Sequence, residues 1–511
     1  MPLYARPVRL ALSLSGSLSG PILALAATVA SSSALAGQVS TTMPDTAAGK
    51  IGAAVIARIN ADNAETIQQW ATTILSGSVD AEMRASLVKQ LAVAVRDSGG
   101  VDFVDARTQG PPGMLVVTIK GRRTGQLAAL VLMPDPEQAG KLAMADMVPV
   151  DDPALYAAWP KAGAPRTEIA RLARVALDQL VRTTDFSGCL SINDGQDTFF
   201  DECRGLADRT FGAKVDRQTK FHIGSMNKMF TAVAIAQLVE SGRLKWDTTL
   251  AEVVPEYPDQ AAAAKITVWQ LLRHTAGLGD FFVPEFFQNR EKFVNPADYL
   301  DLLARQPKVS EPGADWNYSN AGYILAGRIV EKVSGQNYFD YIQRHVFAPA
   351  GMTASGFDSQ EDVTPGLATG YFKDGAFATS WKANWMTLPF KGSPAGGGYS
   401  TNGDLLRFAS ALRSGKLVKD ATVQKMFTDG VPVGPGTYAA GFGERLSHGR
   451  HIRGHAGGAP GMNANLAIVW ETGGAVAVTS NQGDAPTAML LSERIADLLA
   501  AEGKTAEDQK L

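Results

Sequence analysis

The order of strand and helix patterns along residues 165–505 constrains the fold most strongly. Helices separated by long Gly- and Pro-rich loops fill the middle of this segment, and strand patterns stand at both of its ends. The strand patterns are a hairpin around Asn193-Asp194-Gly195 and three later runs, His451–Gly454, Ala464–Trp470 and Ala475–Ser480. We therefore expect one α/β lobe built from both ends, with a helical lobe inserted between them and a ligand site in the cleft.

The chain has 511 residues, which exceeds one ordinary domain, so two folded units are expected. The first unit holds two helical patterns, Ala61–Leu75 and Ala81–Val95, followed by three strand patterns. We predict a small α+β accessory domain over residues 37–150, in which no residues are assigned to chemistry. A linker rich in Pro, Ala and Asp (151–164) then leads to the larger domain (165–505).

Residues 1–36 match the pattern of an export signal. Arg6 and Arg9 form a short basic start, a mostly apolar stretch follows, and Ala34-Leu35-Ala36 has the small residues of a cleavage site. The apolar run is too short and too often interrupted by Ser and Gly to span a membrane comfortably, which disfavours an uncleaved anchor. We therefore predict cleavage after Ala36 and an exported protein, periplasmic or secreted, without a stable membrane anchor.

The composition argues against several partners and leaves one cysteine pairing open. The formal net charge is -3 and no long basic run is present, so we expect no nucleic-acid partner. The histidines form no metal-ligand pair with a nearby acid, so we expect neither a metal site nor a cofactor. Cys189 and Cys203 flank the predicted hairpin turn, and they are either bridged, as an oxidising compartment allows, or two buried thiols in neighbouring strands.

Ser225 and Lys228 stand at the start of a nearly all-apolar helix, Met226–Ser241. In a first helical turn, unpaired backbone N–H groups favour negative charge that develops on the serine. Lys228 lies over the same face and can take the serine proton if burial lowers its pKa. The alternative is a simple N-cap, but a lysine in a buried helix is costly without a purpose. The same spacing in Ser86-Leu87-Val88-Lys89 is expected to be a solvated pair on a helix of the accessory domain.

Two weaker features lie further along the chain. Tyr318 and Asn320 stand on a loop before another apolar helix, where a tyrosinate could relay protons to a leaving group and an amide could orient Lys228 and a substrate carbonyl. His455 ends a strand beside Gly457 and Gly458, where backbone N–H groups could complete an oxyanion hole. Taken singly, each also fits a structural role: a buried Tyr with Asn320 as an N-cap, and a Gly-rich turn with an incidental His.

In this order and spacing, the features resemble the serine β-lactamase and penicillin-binding protein superfamily, with its Ser-x-x-Lys, Tyr-x-Asn and Lys/His-x-Gly motifs. Three further segments are similar to segments of that family: Leu271–Leu278, Ser310–Gly322 and Gly396–Thr401. The resemblance covers roughly residues 165–505 and implies an α/β (α+β), two-lobed fold with an antiparallel sheet and a helical lobe. It also implies a role for each candidate: acylation for Ser225, the base for Lys228, proton relay for Tyr318, substrate orientation for Asn320, the third-motif place for His455, and the oxyanion hole for Gly458 beside Gly457.

One departure from the family pattern bears on the substrate. His455 stands where β-lactamases of this branch usually carry Lys, and histidine is neutral over much of the physiological range. We therefore predict a serine hydrolase that cleaves an ester or amide in a small-molecule or peptide substrate, including peptides with D-residues. The alternatives are a β-lactamase and a non-turnover penicillin-binding or sensory module on the same fold. Four aromatic residues either line an apolar cleft wall or belong to the core: Phe281, Phe282, Phe286 and Phe287.

Overall fold

The computed structural model describes residues 39–108, 111–152, 154–161, 163–483 and 486–501. The predicted export signal and its cleavage site lie outside these residues. None of the helices in the described ranges combines the length and the apolar character that crossing a bilayer requires.

In the accessory domain, three helices cover one face of a five-stranded antiparallel sheet whose strands pair in chain order. The helices are Ala47–Ala61, Ala64–Ile74 and Ala81–Asp97. The strands are Val39–Ser40, Val101–Thr108, Leu115–Gly121, Leu127–Pro134 and Leu142–Val150. Buried aliphatic side chains from the helices and the inner sheet face form a core separate from those of the larger domain.

The accessory domain has one more helix and two more strands than the sequence predicts, and the short strand Val39–Ser40 is one of the two. It has three helices rather than two, because Ala47–Ala61 forms a separate helix whose N-cap, Thr46, accepts a hydrogen bond from Gly49 N–H. The strand Leu142–Val150 has no counterpart among the predicted strands, since its apolar alternation is weak and it contains Pro149. As an edge strand it tolerates the proline, and it is specified by pairing with Leu127–Pro134.

The larger domain is built around an antiparallel sheet of eight strands. In spatial order they are Val431–Val433, Gly436–Tyr438, Gly443–Ser447, Arg450–Ala459, Met462–Val469, Gly474–Ser480, Gly188–Asp194 and Thr198–Arg204. The last strand in the chain therefore pairs with the first hairpin, which confirms the predicted lobe built from both ends. The helices Arg166–Thr184 and Thr487–Ala500 pack on one face of this sheet.

The helical lobe lies on the other face of the sheet, around the helix Asn227–Glu240. This helix is buried almost all round, and it contacts both the sheet and the helix Asn320–Ser334. Other helices of the larger domain are Ala154–Ala157, Leu250–Val253, Gln260–Ala263, Val268–Leu272, Pro284–Gln288, Leu300–Ala304, Tyr338–Ile342, Ala348–Ala350, Asn402–Arg413 and Asp420–Phe427. Its short strands are Leu206–Asp208, Ala213–Lys214, Phe221–His222, Tyr371–Lys373, Trp381–Ala383 and Tyr399–Ser400. The α/β fold class with an inserted helical lobe is thus confirmed.

Cys189 and Cys203 are joined by a disulfide. They occupy directly opposite positions in the hairpin formed by the strands Gly188–Asp194 and Thr198–Arg204, with their Cα atoms 4.1 Å apart. Of the two alternatives left open by the sequence, the structure has the bridge.

A hairpin of the larger domain, Tyr371–Ala383, inserts its tip into the accessory domain, and we call it the docking hairpin. Phe377 at its tip is 1% exposed and joins the accessory core. Asp374 of the docking hairpin forms an ion pair of 2.7 Å with Lys89, the lysine of the second Ser-x-x-Lys pattern. The Lys89 side chain is nevertheless 59% exposed. The docking hairpin therefore joins the larger domain to the accessory domain. The domain boundaries at residues 150 and 165 stay a prediction.

Candidate active site

Ser225 lies in a single 3-10 turn, Gly224–Met226, that leads directly into the helix Asn227–Glu240. Its side chain is half-buried, whereas the helix behind it is buried. The Met226 and Asn227 N–H groups donate to the carbonyl oxygens of Ile223 and Gly224, whereas the Ser225 N–H precedes these hydrogen bonds. Ser225 therefore stands on a rigid element with its hydroxyl at an accessible surface.

Two glycines allow the strand Arg450–Ala459 to approach this turn closely. A Cβ on Gly457 would lie 1.8 Å from the carbonyl oxygen of Ile223, a distance that excludes any side chain. Gly224 has a φ of +51° and a Cβ there would lie 3.0 Å from the Gly458 nitrogen. The backbone of Gly457 and Gly458 therefore packs directly against the turn that carries Ser225.

Lys228 is fully buried, and three oxygen atoms surround its amine. Lys228 Nζ lies 3.1 Å from Ser225 Oγ, 2.8 Å from Asn320 Oδ1 and 2.7 Å from the carbonyl oxygen of Ala395. Burial lowers the pKa of Lys228 to about 7, and the negative charge of Asp280 opposes this shift. A neutral amine that donates to Asn320 and Ala395 has its lone pair free for the Ser225 proton. The arrangement can therefore activate the serine near neutral pH.

Tyr318 also borders the lysine. Its ring centroid lies 4.7 Å from Lys228 Nζ, and the nearby Ser225 hydroxyl acts to lower its pKa. Burial raises the pKa of Tyr318, so a tyrosinate, the form expected from sequence, is disfavoured. A phenol can still pass on a proton, because its hydroxyl both donates and accepts.

Asn320 is the first residue of its helix rather than the N-cap, which is Ser319. Its Nδ2 donates to Asp280 Oδ2 at 2.8 Å while its Oδ1 faces Lys228 Nζ, so the carboxylate sets the orientation of the amide. Asp280 also accepts the Asn320 backbone N–H at 3.2 Å. No spacing in the sequence identifies Asp280, which lies 40 residues before its partner.

His455 is 8% exposed, and protein groups contact both of its ring nitrogens. Its Nδ1 lies 2.5 Å from the carbonyl oxygen of Ala456, which can only accept, so this nitrogen carries the proton. Its Nε2 then accepts from the Tyr438 hydroxyl at 2.9 Å. Burial, together with the nearby charge of Lys228, lowers the pKa of His455 to about 3. His455 is therefore neutral, and Tyr438 is a site residue that sequence reasoning missed.

His274, from the Leu271–Leu278 segment, packs against the same tyrosines. Its ring centroid lies 4.3 Å from that of Tyr318 and 4.6 Å from that of Tyr438. Its Nδ1 accepts the Ser319 backbone N–H at 3.1 Å, and burial lowers its pKa well below the ordinary value. The neutral His274 ring therefore packs against both Tyr318 and Tyr438.

The structure places all four phenylalanines in or against the core of the helical lobe. Phe281 and Phe286 are core residues with 2% and 0% exposure. Phe282 and Phe287 are partly buried and pack on the outside of that core. Within the ranges that the structure describes, no cluster of three His, Cys, Asp or Glu side chains is placed to hold a metal ion.

Comparisons with known proteins find relatives of the larger domain, which contains this site. The family model described as Beta-lactamase matches residues 176–500, which is more than half of the chain. A protein of Bacillus subtilis (strain 168) that carries the name penicillin-binding protein PbpX is 30% identical over 279 residues, which is 53% of this chain and 67% of that protein. The lovastatin esterase of Penicillium rubens is 30% identical over 234 residues, 40% of this chain and 58% of the esterase.

A crystal structure of D-amino acid amidase from Ochrobactrum anthropi SV3, complexed with L-phenylalanine amide, superposes with a TM-score of 0.56. The identity is 25%, and the superposition covers 66% of this chain and 98% of the amidase. The part of the chain before residue 176, which includes the accessory domain, lies outside the family match.

Proposed function

The chain belongs to the beta-lactamase family and is a serine hydrolase, and on that premise we propose that it cleaves an ester or amide through an acyl-enzyme on Ser225. The observation that carries the residue assignment is the 3.1 Å contact between Ser225 Oγ and a fully buried Lys228 amine whose pKa is lowered to about 7.

The proposed reaction has two halves. Ser225 Oγ transfers its proton to Lys228 Nζ and attacks the substrate carbonyl, and the N–H groups of Ser225 and Gly458 receive the oxyanion. The proton then passes through the Tyr318 hydroxyl to the leaving alcohol or amine, and the carbon–oxygen or carbon–nitrogen bond breaks. A water molecule, deprotonated by the same base, next attacks the acyl-enzyme and releases the acid and free Ser225.

The substrate we propose is uncharged around the scissile bond. His455 is neutral, with both ring nitrogens engaged by Ala456 and Tyr438, so it offers no cation to a substrate carboxylate. Arg453 on the same strand forms an ion pair with Glu444. Small esters and amides, including amides of D-residues, fit these surroundings better than penicillins or peptides that end in a carboxylate next to the scissile bond.

We also propose that the protein is exported to the periplasm or secreted, with residues 1–36 removed. The basic start and the Ala34-Leu35-Ala36 site support this. The Cys189–Cys203 bridge is consistent with an oxidising compartment.

One measurement tests these points together: the intact mass of the exported protein before and after treatment with a small fluorophosphonate, with Ser225→Ala in parallel. We expect a mature chain that begins at Gly37 and a single adduct that is absent from the Ser225→Ala variant. An adduct at another residue, or none on the folded wild type, would contradict the assignment of Ser225 and favour a non-turnover module. Rapid hydrolysis of a chromogenic cephalosporin, with slow turnover of neutral esters, would favour a β-lactamase.

A further inference from the structure

A short loop of the larger domain presents two large apolar side chains to solvent. The loop is Asn384–Pro389, which we call the rim loop, and Trp385 and Met386 are 56% and 77% exposed. Single exposed apolar residues are common, but an adjacent tryptophan and methionine on one loop form a patch that favours contact with an apolar ligand.

The backbone of the rim loop is held firmly although these side chains are exposed. Arg290 Nη1 donates to the carbonyl oxygens of Trp385 at 3.1 Å and Leu388 at 2.5 Å. Gln360 Nε2 lies 3.3 Å, 3.3 Å and 3.1 Å from the carbonyl oxygens of Trp385, Leu388 and Pro389. The loop also follows directly on the docking hairpin, whose tip is fixed in the accessory domain. The backbone that carries the apolar patch is therefore held in place, and Arg290 Nη2 also lies 4.0 Å from Met386 Sδ.

Both ends of the rim loop touch the surroundings of the oxyanion hole. Asn384 is 1% exposed and its Nδ2 donates to the carbonyl oxygen of Pro460 at 3.0 Å, two residues beyond Gly458. At the other end, a Cβ on Gly397 would lie 3.1 Å from Pro389 Cγ, and a Cβ on the adjoining Gly396 would lie 3.4 Å from Ser225 N. The rim loop thus borders the cleft that contains Ser225.

The rim loop contacts the chain just beyond the strand Arg450–Ala459, and this place indicates which half of the substrate the loop faces. His455 and its partner Tyr438 adjoin Tyr318, the proton donor to the leaving group, and so mark the leaving-group side. The rim loop contacts the chain at Pro460, beyond Gly458 and on the opposite side of the oxyanion hole. A carbonyl bound at Ser225 with its leaving group toward His455 would place its acyl chain on the side of Pro460 and the rim loop.

We propose that Trp385 and Met386 form an apolar subsite for the acyl chain of the substrate. The proposal rests on the proposed function, because an acyl subsite needs an acyl donor at Ser225. It specifies the substrate class further: esters or amides whose acyl group carries an apolar extension. Contact of each of these two side chains with about two methylene groups corresponds to roughly a tenfold gain in kcat/KM.

The test compares kcat/KM for 4-nitrophenyl acetate and 4-nitrophenyl octanoate in the wild type, Trp385→Ala and Met386→Ala. Phe211→Ala and Leu446→Ala serve as matched controls, since these side chains are 87% and 64% exposed on other elements. We expect the wild type to prefer octanoate, and each rim-loop variant to lose about tenfold in the octanoate-to-acetate ratio while keeping its acetate rate. The two controls should leave the ratio unchanged.

An unchanged ratio in both rim-loop variants, or a wild type with no preference for octanoate, would overturn the subsite. So would a dependence on the length of the alcohol instead of the acyl chain, measured with alkyl acetates. The rate of Ser225 labelling by a small fluorophosphonate separates this failure from failure of the proposed function. Normal labelling with an unchanged ratio refutes only the subsite, whereas absence of labelling and turnover in the wild type refutes both.

Discussion

Replacing Lys228 by methionine removes the amine and keeps a side chain of similar length in a fully buried position. The structure predicts a large loss, because Nζ is the basic group within hydrogen-bond distance of Ser225 Oγ. General base catalysis contributes about 10²- to 10⁴-fold, or about 3–5 kcal/mol of the activation barrier. An ordinary lysine, with a pKa of 10.5, would be neutral in only about one molecule in three thousand at pH 7, whereas a pKa of about 7 makes half of the molecules neutral.

The assay is the rate of Ser225 modification by a small fluorophosphonate as a function of pH, followed by intact mass. Since the neutral amine is the active form, the wild-type rate should rise about tenfold per pH unit below 7 and level off above it. The Lys228→Met rate should fall by at least 10²-fold at pH 8 and lose this inflection. His455, with a pKa of about 3, should add no second inflection between pH 5 and 8.

The chain provides a matched control in its second Ser-x-x-Lys pattern. Lys89 is 59% exposed and its ion pair with Asp374 lies near the surface, so Lys89→Met should leave both the rate and its pH profile unchanged. A folded Lys228→Met protein that keeps its rate within tenfold of wild type, or keeps the inflection near pH 7, would refute Lys228 as the base. Thermal denaturation of each variant establishes that the loss of rate does not come from unfolding.

Two further predictions concern residues that only the structure identified. Asp280→Asn should shift the inflection of the pH–rate profile to a lower pH than in the wild type, because the carboxylate favours the charged form of Lys228. An inflection at the same or a higher pH would contradict this electrostatic role. Phe377→Ala should lower the free energy of unfolding of the accessory domain by about 3–5 kcal/mol, since it empties a buried site at the tip of the docking hairpin. Chemical denaturation measures that loss, and an effect below about 1 kcal/mol would mean that the hairpin does not anchor the two domains.

The local sequence was sufficient to predict helices, strands and neighbouring side chains wherever the backbone geometry repeats regularly along the chain. The three-residue spacing of Ser225 and Lys228 places both side chains on the same side where a 3-10 turn runs into a helix. The runs Ala464–Trp470 and Ala475–Ser480 were likewise predicted as strands, and the structure pairs them in one sheet. By contrast, the weakly patterned strand Leu142–Val150 was missed because its register depends on a neighbouring strand.

The chemistry of the site depends on groups that are distant in sequence. Asn320 and Ala395, which hold the Lys228 amine, lie 92 and 167 residues away from it, and the burial that lowers its pKa comes from the packing of both lobes. No sequence spacing identifies Asp280, Tyr438 or the rim loop as part of the site. The sequence by itself therefore determined the order of the motifs and the local placement of nucleophile and base. Tertiary structure alone decided their protonation and their surroundings, because desolvation and hydrogen bonding are properties of the assembled cleft.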